Sequence, residues 1–132
     1  VQRDELIGAL IDRLPPRLAG SIYVMDSQNQ LIGEIDVNDL HRLAKGEPSG
    51  RIGTIAHVMR SAPPVLTPEM LLGDALDVFI ANHCKRLPVV SGHWSPVLIG
   101  EVLRHDLLLA LQERISERPE RGREMKELFR GE

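Results

Sequence analysis

The sequence predicts an α+β (α/β) fold built from two copies of a helix–strand–strand–helix unit. Each copy contains two short apolar runs separated by turn residues and followed by a helical pattern. The letters Leu-Ile-Gly-Glu recur at Leu31 and Leu98, and Asp39 and Asp106 keep the same spacing of 67 residues, as duplicated structural units do. Because about 60 residues bury only some 60% of their unfolded surface, we expect the two copies to pack face to face about a pseudo-twofold axis.

The first copy is predicted over residues 1–48. Its elements are a helix over 1–14, a hairpin of strands over 21–25 and 31–35, and a helix over 37–45 closed by Gly46. Pro15-Pro16 ends the first helix, because proline lacks the N–H that would continue the hydrogen-bond ladder. Residues 26–30 are typical of a turn. This copy is expected to lack the leading strand of the second copy.

The second copy is predicted over residues 49–118, after the linker-like segment Gly46-Glu47-Pro48-Ser49-Gly50. Its elements are a short helix over 54–59, an extended segment over 63–66, a helix over 67–80, strands over 87–90 and 97–103, and a helix over 106–116. Thr54 is the expected N-cap of the short helix. Thr67-Pro68-Glu69 is expected to open the next helix, since proline suits the first helical position. Residues 119–132 are predicted to form a charged, solvated tail.

Composition excludes several classes of function. The net charge is −3 and only four of the 132 residues are aromatic, so neither a basic field nor stacking residues indicate a nucleic-acid partner. The single cysteine, Cys84, excludes an internal disulfide and favours a reducing compartment. The five histidines lack the spacing of a zinc-protease motif, and no Gly-x-Ser-x-Gly segment occurs. The sequence therefore predicts no catalytic residues and no metal site.

Three motifs resemble the CBS domain, the unit named after cystathionine β-synthase. They are His57-Val58-Met59 leading into Val65-Leu66-Thr67-Pro68, then Arg86-Leu87-Pro88-Val89-Val90, then Leu98-Ile99-Gly100-Glu101-Val102 with Asp106. Their order, spacing and repetition cover residues 1 to about 116 and resemble a tandem CBS pair, or Bateman module. The resemblance implies a regulatory rather than a catalytic role. In many members an adenine nucleotide binds in a cleft between the two halves.

The resemblance also implies which residues would hold AMP, ADP or ATP as a reversible ligand, with no tightly bound cofactor. The implied ligand-binding residues are Thr54, Val58, Met59, Arg86, Pro88, Val89, Arg104, Asp106 and Asp39. Main chain near Val58 and Pro88 would contact the adenine, and Thr54 would lie near the ribose or phosphates. Asp106 would accept hydrogen bonds from the ribose hydroxyls, because a carboxylate offers several acceptor sites in a fixed geometry.

The sequence departs from the family pattern at both aspartates. Nucleotide-binding members carry Ser or Thr three residues before the aspartate, whereas this chain has Asp36 and Leu103 there. Asp36 beside Asp39 would repel a polyphosphate, so the site with Asp106 and Thr54 is favoured. A ligand-free pair that acts only as a dimerisation module remains the alternative.

Residues 35–40 and 103–112 look most like the cytoplasmic C-terminal region of bacterial ClC-type chloride channels and proton/chloride exchangers. This resemblance implies a cytoplasmic domain of an integral protein of the cell inner membrane, joined to the transmembrane portion of the same polypeptide. It also implies a homodimer formed through the CBS pairs. The nearest rival is the CBS pair of an MgtE-type magnesium transporter, which would require Mg²⁺ on Glu34, Asp36 and Glu101.

Overall fold

The computed structural model describes residues 1–46 and 52–117, with side chains described as far as residue 113. The described chain is mixed α+β and divides after Ala62 into two compact units, called unit 1 and unit 2 below. Residues 52–62 belong to unit 1 because their backbone bonds lie there: Ile55 N donates to Glu5 O and Ala56 N to Arg3 O. This division reports packing, so the repeat boundary at residues 48 and 49 stays a prediction. The predicted linker at 47–51 and the tail at 119–132 lie outside the described residues.

Unit 1 is a three-stranded antiparallel sheet with two helices. Its elements are α1 (Ile7–Arg13), β1 (Ser21–Met25), β2 (Leu31–Asp36), α2 (Val37–Lys45), a 3-10 helix (Ile55–His57) and β3 (Arg60–Ser61), in the strand order β1-β2-β3. The β1–β2 turn is fixed by Asp26, whose Oδ1 accepts from Gln28 N at 2.9 Å and Gln30 N at 3.0 Å. The predicted hairpin and the helix over 37–45 are confirmed.

The predicted helix over residues 1–14 is wrong for its first half. Residues 1 and 2 lie beside β1 and a turn begins at Arg3: Met25 N donates to Val1 O at 2.8 Å and Arg3 N to Met25 O at 3.0 Å. The helix begins only at Ile7, where the chain no longer bonds to β1. Gln2 and Met25 form a parallel bridge, and Leu66 and Val89 form the same kind of bridge in unit 2.

The core of unit 1 comes from alternate residues of β2 together with the inner faces of its helices. β2 alternates between buried and half-buried positions along its whole length, as expected for a sheet with one covered face. The buried cluster consists of Ile7, Leu10, Val24, Ile35, Leu40 and Ile55. Gly33 lies on the inner side of β2, where an added Cβ would come within 2.5 Å of the Arg60 carbonyl oxygen. The close approach of β3 to β2 therefore requires glycine at this position.

Unit 2 is a two-stranded antiparallel hairpin with two helices. Its elements are α3 (Leu72–Asn82), β4 (Arg86–Val90), β5 (Leu98–Leu103) and α4 (Arg104–Glu117). The buried cluster consists of Leu66, Leu72, Ala75, Phe79, Leu87, Val89, Val102, Leu107 and Ala110. The predicted second hairpin and closing helix are confirmed to within two residues at each end.

The structure corrects the predicted start of α3 at Thr67. Residues 67–70 form a turn in which Met70 N donates to Thr67 O at 3.1 Å, while Thr67 N lies 3.3 Å from Met70 Sδ. The helix begins at Leu72 after Leu71, which has no side-chain cap. Thr67 is only 8% exposed, and its backbone N–H and carbonyl are both engaged in the turn with Met70.

Candidate functional site

The start of α4 presents the aspartate that was predicted to bind ribose. α4 begins directly after β5, and Arg104 N donates to Lys85 O at 2.8 Å, which fixes the first turn beside the start of β4. Asp106 lies in this turn and is exposed. Among residues 1–46 and 52–113, whose side chains are described, none forms a hydrogen bond or ion pair with its carboxylate. Asp106 is therefore an accessible acceptor on an ordered backbone.

Two predicted residues of β4 are buried in the hairpin. Val89 is fully buried, and Pro88 is buried and has no N–H. The Pro88 carbonyl accepts from Leu66 N at 2.9 Å, and Val90 N donates to Leu66 O at 2.8 Å. The Pro88 carbonyl, part of the main chain that was expected to contact an adenine, is therefore already bonded to Leu66.

Arg86 is one of the implied ligand-binding residues, and the structure places it at the start of β4. Its guanidinium nitrogen Nη1 lies 3.7 Å from Glu101 Oε1 on the paired strand, with the two side chains 48% and 33% exposed. An ion pair this long and this exposed adds little stability. Arg86 is therefore a half-exposed cation whose present partner is a neighbouring carboxylate.

In unit 1 the equivalent aspartate, Asp39, is held by two arginines. Arg42, one turn further along α2, pairs with Oδ1, and Arg60 Nη2 on β3 donates to Oδ2 at 3.0 Å. Both carboxylate oxygens of Asp39 are therefore engaged within the unit. Asp36, predicted to repel a polyphosphate, accepts from Asn38 N at 2.8 Å as the N-cap of α2. The two copies thus differ at the predicted ribose position.

The predicted residues Thr54, Val58 and Met59 flank the 3-10 helix of unit 1 in the chain: Thr54 precedes it, and Val58 and Met59 follow it. Thr54 is its N-cap, as predicted, and its backbone N donates to His57 Nδ1 at 3.3 Å. The Thr54 hydroxyl oxygen lies 3.1 Å from the same nitrogen. Val58 N and Met59 N both donate to Ile55 O at 3.0 Å. Their amides are occupied, so a ligand could contact only the other atoms of these two residues.

Among the described carboxylates, only Glu34 has a pKa that its surroundings clearly shift. Partial burial on β2 raises its pKa above the ordinary value, while a hydrogen bond with Ser21 and the charge of Arg60 oppose the rise. Glu34 and Asp36 were candidate Mg²⁺ ligands. Within the described part of the chain, no three His, Cys, Asp or Glu side chains come close enough to hold a metal ion.

Sequence reasoning did not identify His57 and Arg60 as partners of the predicted site residues. A signal for His57 was present, because its position three residues after Thr54 is that of a capping box. Arg60 had no such signal. Its contact with Asp39 depends on β3 pairing with β2, which brings together residues 21 positions apart.

Comparisons with known proteins agree with this architecture. The family model described as CBS domain matches residues 55–113. An uncharacterised 17.7 kDa protein of Acidianus ambivalens is 29% identical over 92 residues, which cover 70% of this chain and 54% of that protein. The chain thus matches about half the length of this relative.

Two solved structures have the same fold. CBSX2 in complex with AMP aligns with a TM-score of 0.63 and 22% identity over 86% of each chain. The cytosolic domain of the Mg²⁺ channel MgtE in complex with ATP aligns with a TM-score of 0.66 and 19% identity, over 84% of this chain and 44% of that one. At these identities the likeness establishes the fold alone.

None of the helices within residues 1–46 and 52–117 has the length and apolar character needed to span a lipid bilayer.

Proposed function

We propose, from the premise that this chain is a tandem CBS domain pair, that it is a regulatory module whose ligand is an adenine nucleotide. The support for a nucleotide is indirect: two proteins of the same fold carry AMP and ATP in their structures. A ligand regulates an attached protein only if it binds one conformation more tightly than another. The proposed module therefore couples nucleotide binding to a change in conformation.

Asp106 is the residue that carries the nucleotide proposal. It is an exposed carboxylate at the start of α4 with no partner among the described residues, whereas Asp39 already binds Arg42 and Arg60. A carboxylate in this state accepts two ribose hydroxyl hydrogens without first losing an intramolecular bond. Arg104 at the first position of α4 supplies a cation two residues away. We therefore assign ribose binding to Asp106.

Calorimetric titration with AMP, ADP and ATP tests this assignment. Asp106→Asn weakens the acceptor and should raise the dissociation constant on the order of tenfold, as expected for losing a hydrogen bond to a charged group. Asp74→Asn is the matched control, because Asp74 is also an exposed carboxylate in the first turn of a helix. No detectable binding of any of the three nucleotides at millimolar concentration rejects the nucleotide proposal.

The protein that this module regulates is proposed to be a membrane transporter, most like a ClC-type chloride channel or exchanger. The support is the sequence of residues 35–40 and 103–112, together with the Mg²⁺-channel cytosolic domain that shares the fold. The module would then lie on the cytoplasmic side of the inner membrane. A natural coding sequence that joins this chain to no series of apolar spans would reject the transporter assignment.

A ligand-free dimerisation module is the second candidate, favoured by an exposed apolar surface on unit 2. Ile80 on α3 is 58% exposed, and Leu108 and Leu109 on α4 are 44% and 45% exposed. Apolar side chains at helix surfaces of this kind suit a self-complementary interface. Sedimentation should then show a dimer that Leu108→Glu dissociates and that nucleotide leaves unchanged. A strict monomer at high concentration contradicts this candidate.

A further inference from the structure

We propose that residues 128–131, which lie outside the described part of the chain, bind along the outer edge of β5 as a third strand of the unit 2 sheet. The outer edge is the side of β5 that faces away from β4. The inference goes beyond the proposed function and does not depend on nucleotide binding. It gives residues 128–131 a place in the fold, whereas the charge of the segment alone predicts a solvated tail.

The two units differ in the number of strands that border the equivalent strands β2 and β5. β2 has β1 on one side and β3 on the other, with Glu34 opposite Arg60. Among residues 1–46 and 52–117, the only strand that pairs with β5 is β4. β2 and β5 share the sequence Leu-Ile-Gly-Glu, and β3 follows α2 in the chain. The counterpart of β3 in unit 2 would therefore follow α4.

The backbone of Glu101 points to the outer edge of β5. Glu101 lies opposite Pro88 on β4, which has no N–H, and the Pro88 carbonyl accepts from Leu66 N. The Pro88–Glu101 pair therefore exchanges no hydrogen bonds. In an antiparallel ladder, the N–H and carbonyl of such a residue point away from the paired strand. A strand at the outer edge would meet both groups.

Gly100 is the residue of β5 that corresponds to Gly33 of β2. In unit 1 a Cβ at Gly33 would come within 2.5 Å of the Arg60 carbonyl oxygen. Glycine is thus what allows β3 to approach β2 closely. The second copy keeps glycine at this position, so the sequence of β5 meets the same requirement for a close neighbouring strand.

Residues 125–131 repeat the pattern of the segment that contains β3. In residues 55–61 and in residues 125–131, an apolar residue is followed by two variable residues, two apolar residues, an arginine and a small residue. The arginines, Arg60 and Arg130, are 70 positions apart. This spacing exceeds the 67 residues that separate the two aspartates, and α4 has 14 residues where α2 has nine. The longer helix accounts for the additional residues.

The chain that follows α4 is long enough to reach β5. α4 has 14 residues and a length of about 20 Å, and it begins directly after β5. Its last residue therefore lies within about 20 Å of the end of β5. Gly100 lies a further 10 Å or so along the strand, at about 3.4 Å per residue. Residues 118–127 span up to about 33 Å when extended, which covers this distance.

The charges of the two segments are complementary. In unit 1, Arg60 lies opposite Glu34, and its positive charge opposes the rise in the pKa of that carboxylate. In the same register, Arg130 would lie opposite Glu101. Opposite charges at directly facing positions of two strands stabilise their pairing. The register of β2 and β3 thus predicts which residues of β5 and of the C-terminal segment face each other.

The first test is a disulfide cross-link in the full chain carrying Cys84→Ala. Facing residues of an antiparallel pair have Cα atoms about 4.5–5.5 Å apart, which is within the range of a disulfide. Glu101→Cys with Arg130→Cys should therefore form an intramolecular disulfide under mild oxidation. Glu101→Cys with Arg123→Cys is the matched control, because position 123 precedes the proposed strand and loses the same side chain.

Two outcomes of the cross-linking test overturn the inference. Equal yields for the two cysteine pairs would mean that the C-terminal segment has no preferred register on β5. A disulfide that joins two chains, seen as a doubled mass without reductant, would mean that a second copy occupies the outer edge.

The second test measures hydrogen exchange of the Glu101 amide in the full chain. Arg130→Pro removes the N–H that faces Glu101 and should speed this exchange about three- to tenfold, the factor that corresponds to one net hydrogen bond. Arg123→Pro should leave it unchanged, and the amides of residues 31–36 report whether the fold is intact. An unchanged Glu101 amide in Arg130→Pro, or an equal change in Arg123→Pro, overturns the inference.

Discussion

Replacement of Gly33 by alanine should destabilise unit 1 by about 1–3 kcal/mol, the usual range for overpacking a well-packed interior. The new Cβ would lie 2.5 Å from the Arg60 carbonyl oxygen and 3.0 Å from Met59 Sδ. The methionine side chain can rotate away, but the carbonyl belongs to β3 and cannot move without straining the pairing of Gly33 with Ser61. The backbone contact therefore sets the size of the loss.

Gly73→Ala is the matched control with the opposite expected sign. Gly73 lies in α3, and an added Cβ there meets nothing within 4 Å. Alanine in a helix is more favourable than glycine by roughly 0.5–1 kcal/mol, so this variant should be stabilised. The same chemical change thus lowers stability in β2 and raises it in α3.

Urea denaturation followed by far-ultraviolet circular dichroism measures both changes. With slopes of about 1–3 kcal/mol per molar urea for small proteins, Gly33→Ala should lower the midpoint by about 1 M. Hydrogen exchange at residues 31–36, with 98–103 as the reference, locates the effect in β2. The double variant Gly33→Ala with Met59→Ala should recover little, since the carbonyl contact remains. A stable Gly33→Ala chain, or full recovery in the double variant, would refute the packing argument.

Three further outcomes are expected. Phe79→Ala should cost about 3–5 kcal/mol, because it empties a fully buried ring position in unit 2, whereas Phe79→Leu should cost clearly less in the same urea titration. Burial raises the pKa of Glu34, so the folded chain binds this proton more tightly than the unfolded chain, and the free energy of unfolding should fall as pH rises above 4.5. Glu34→Gln should abolish that fall, and a pH series of unfolding midpoints that is unchanged by the variant would contradict this. Asp39 and Arg60 form a partly exposed pair, so a double-mutant cycle of Asp39→Asn and Arg60→Gln should give a coupling of only about 0.2–1 kcal/mol.

The two hairpins could be predicted because they depend on local sequence. The same holds for the helix over 37–45, the short helix after Thr54 and the closing helix. Alternating apolar residues around turn sequences identify the strands, and Val37–Lys45 has both an N-cap and a closing glycine. The start of the chain could not be predicted in this way. Residues 1–3 follow a helix-compatible pattern but bond to Met25, so a contact across 22 or more positions overrides local propensity. The predicted helix start at Thr67 was wrong for a related reason, since Thr67 forms a turn with Met70 instead of capping a helix.

The sequence indicates candidate site residues, but it does not indicate which other residues they contact. Thr54 was correctly identified as an N-cap, and the T-x-x-H spacing would have identified His57 as its partner. Burial of Pro88 and Val89 follows from the position of β4 in the core, which an apolar run alone does not distinguish from an exposed strand. Such contacts depend on which element lies above a strand, and this is decided by tertiary packing.

The two aspartates show that matching positions of a duplicated sequence can have different surroundings. Asp39 and Asp106 occupy matching positions after matching strands, yet Asp39 is bound by Arg42 and Arg60 while Asp106 has no partner among the described residues. A ligand hydroxyl at Asp39 would have to displace arginine–carboxylate bonds in which both partners are charged, whereas the hydroxyl that replaces them is a neutral donor. A ligand at Asp106 displaces only water. Ligand binding at the aspartates should therefore be confined to unit 2, and a nucleotide whose affinity falls in Asp39→Asn but not in Asp106→Asn would reverse this assignment.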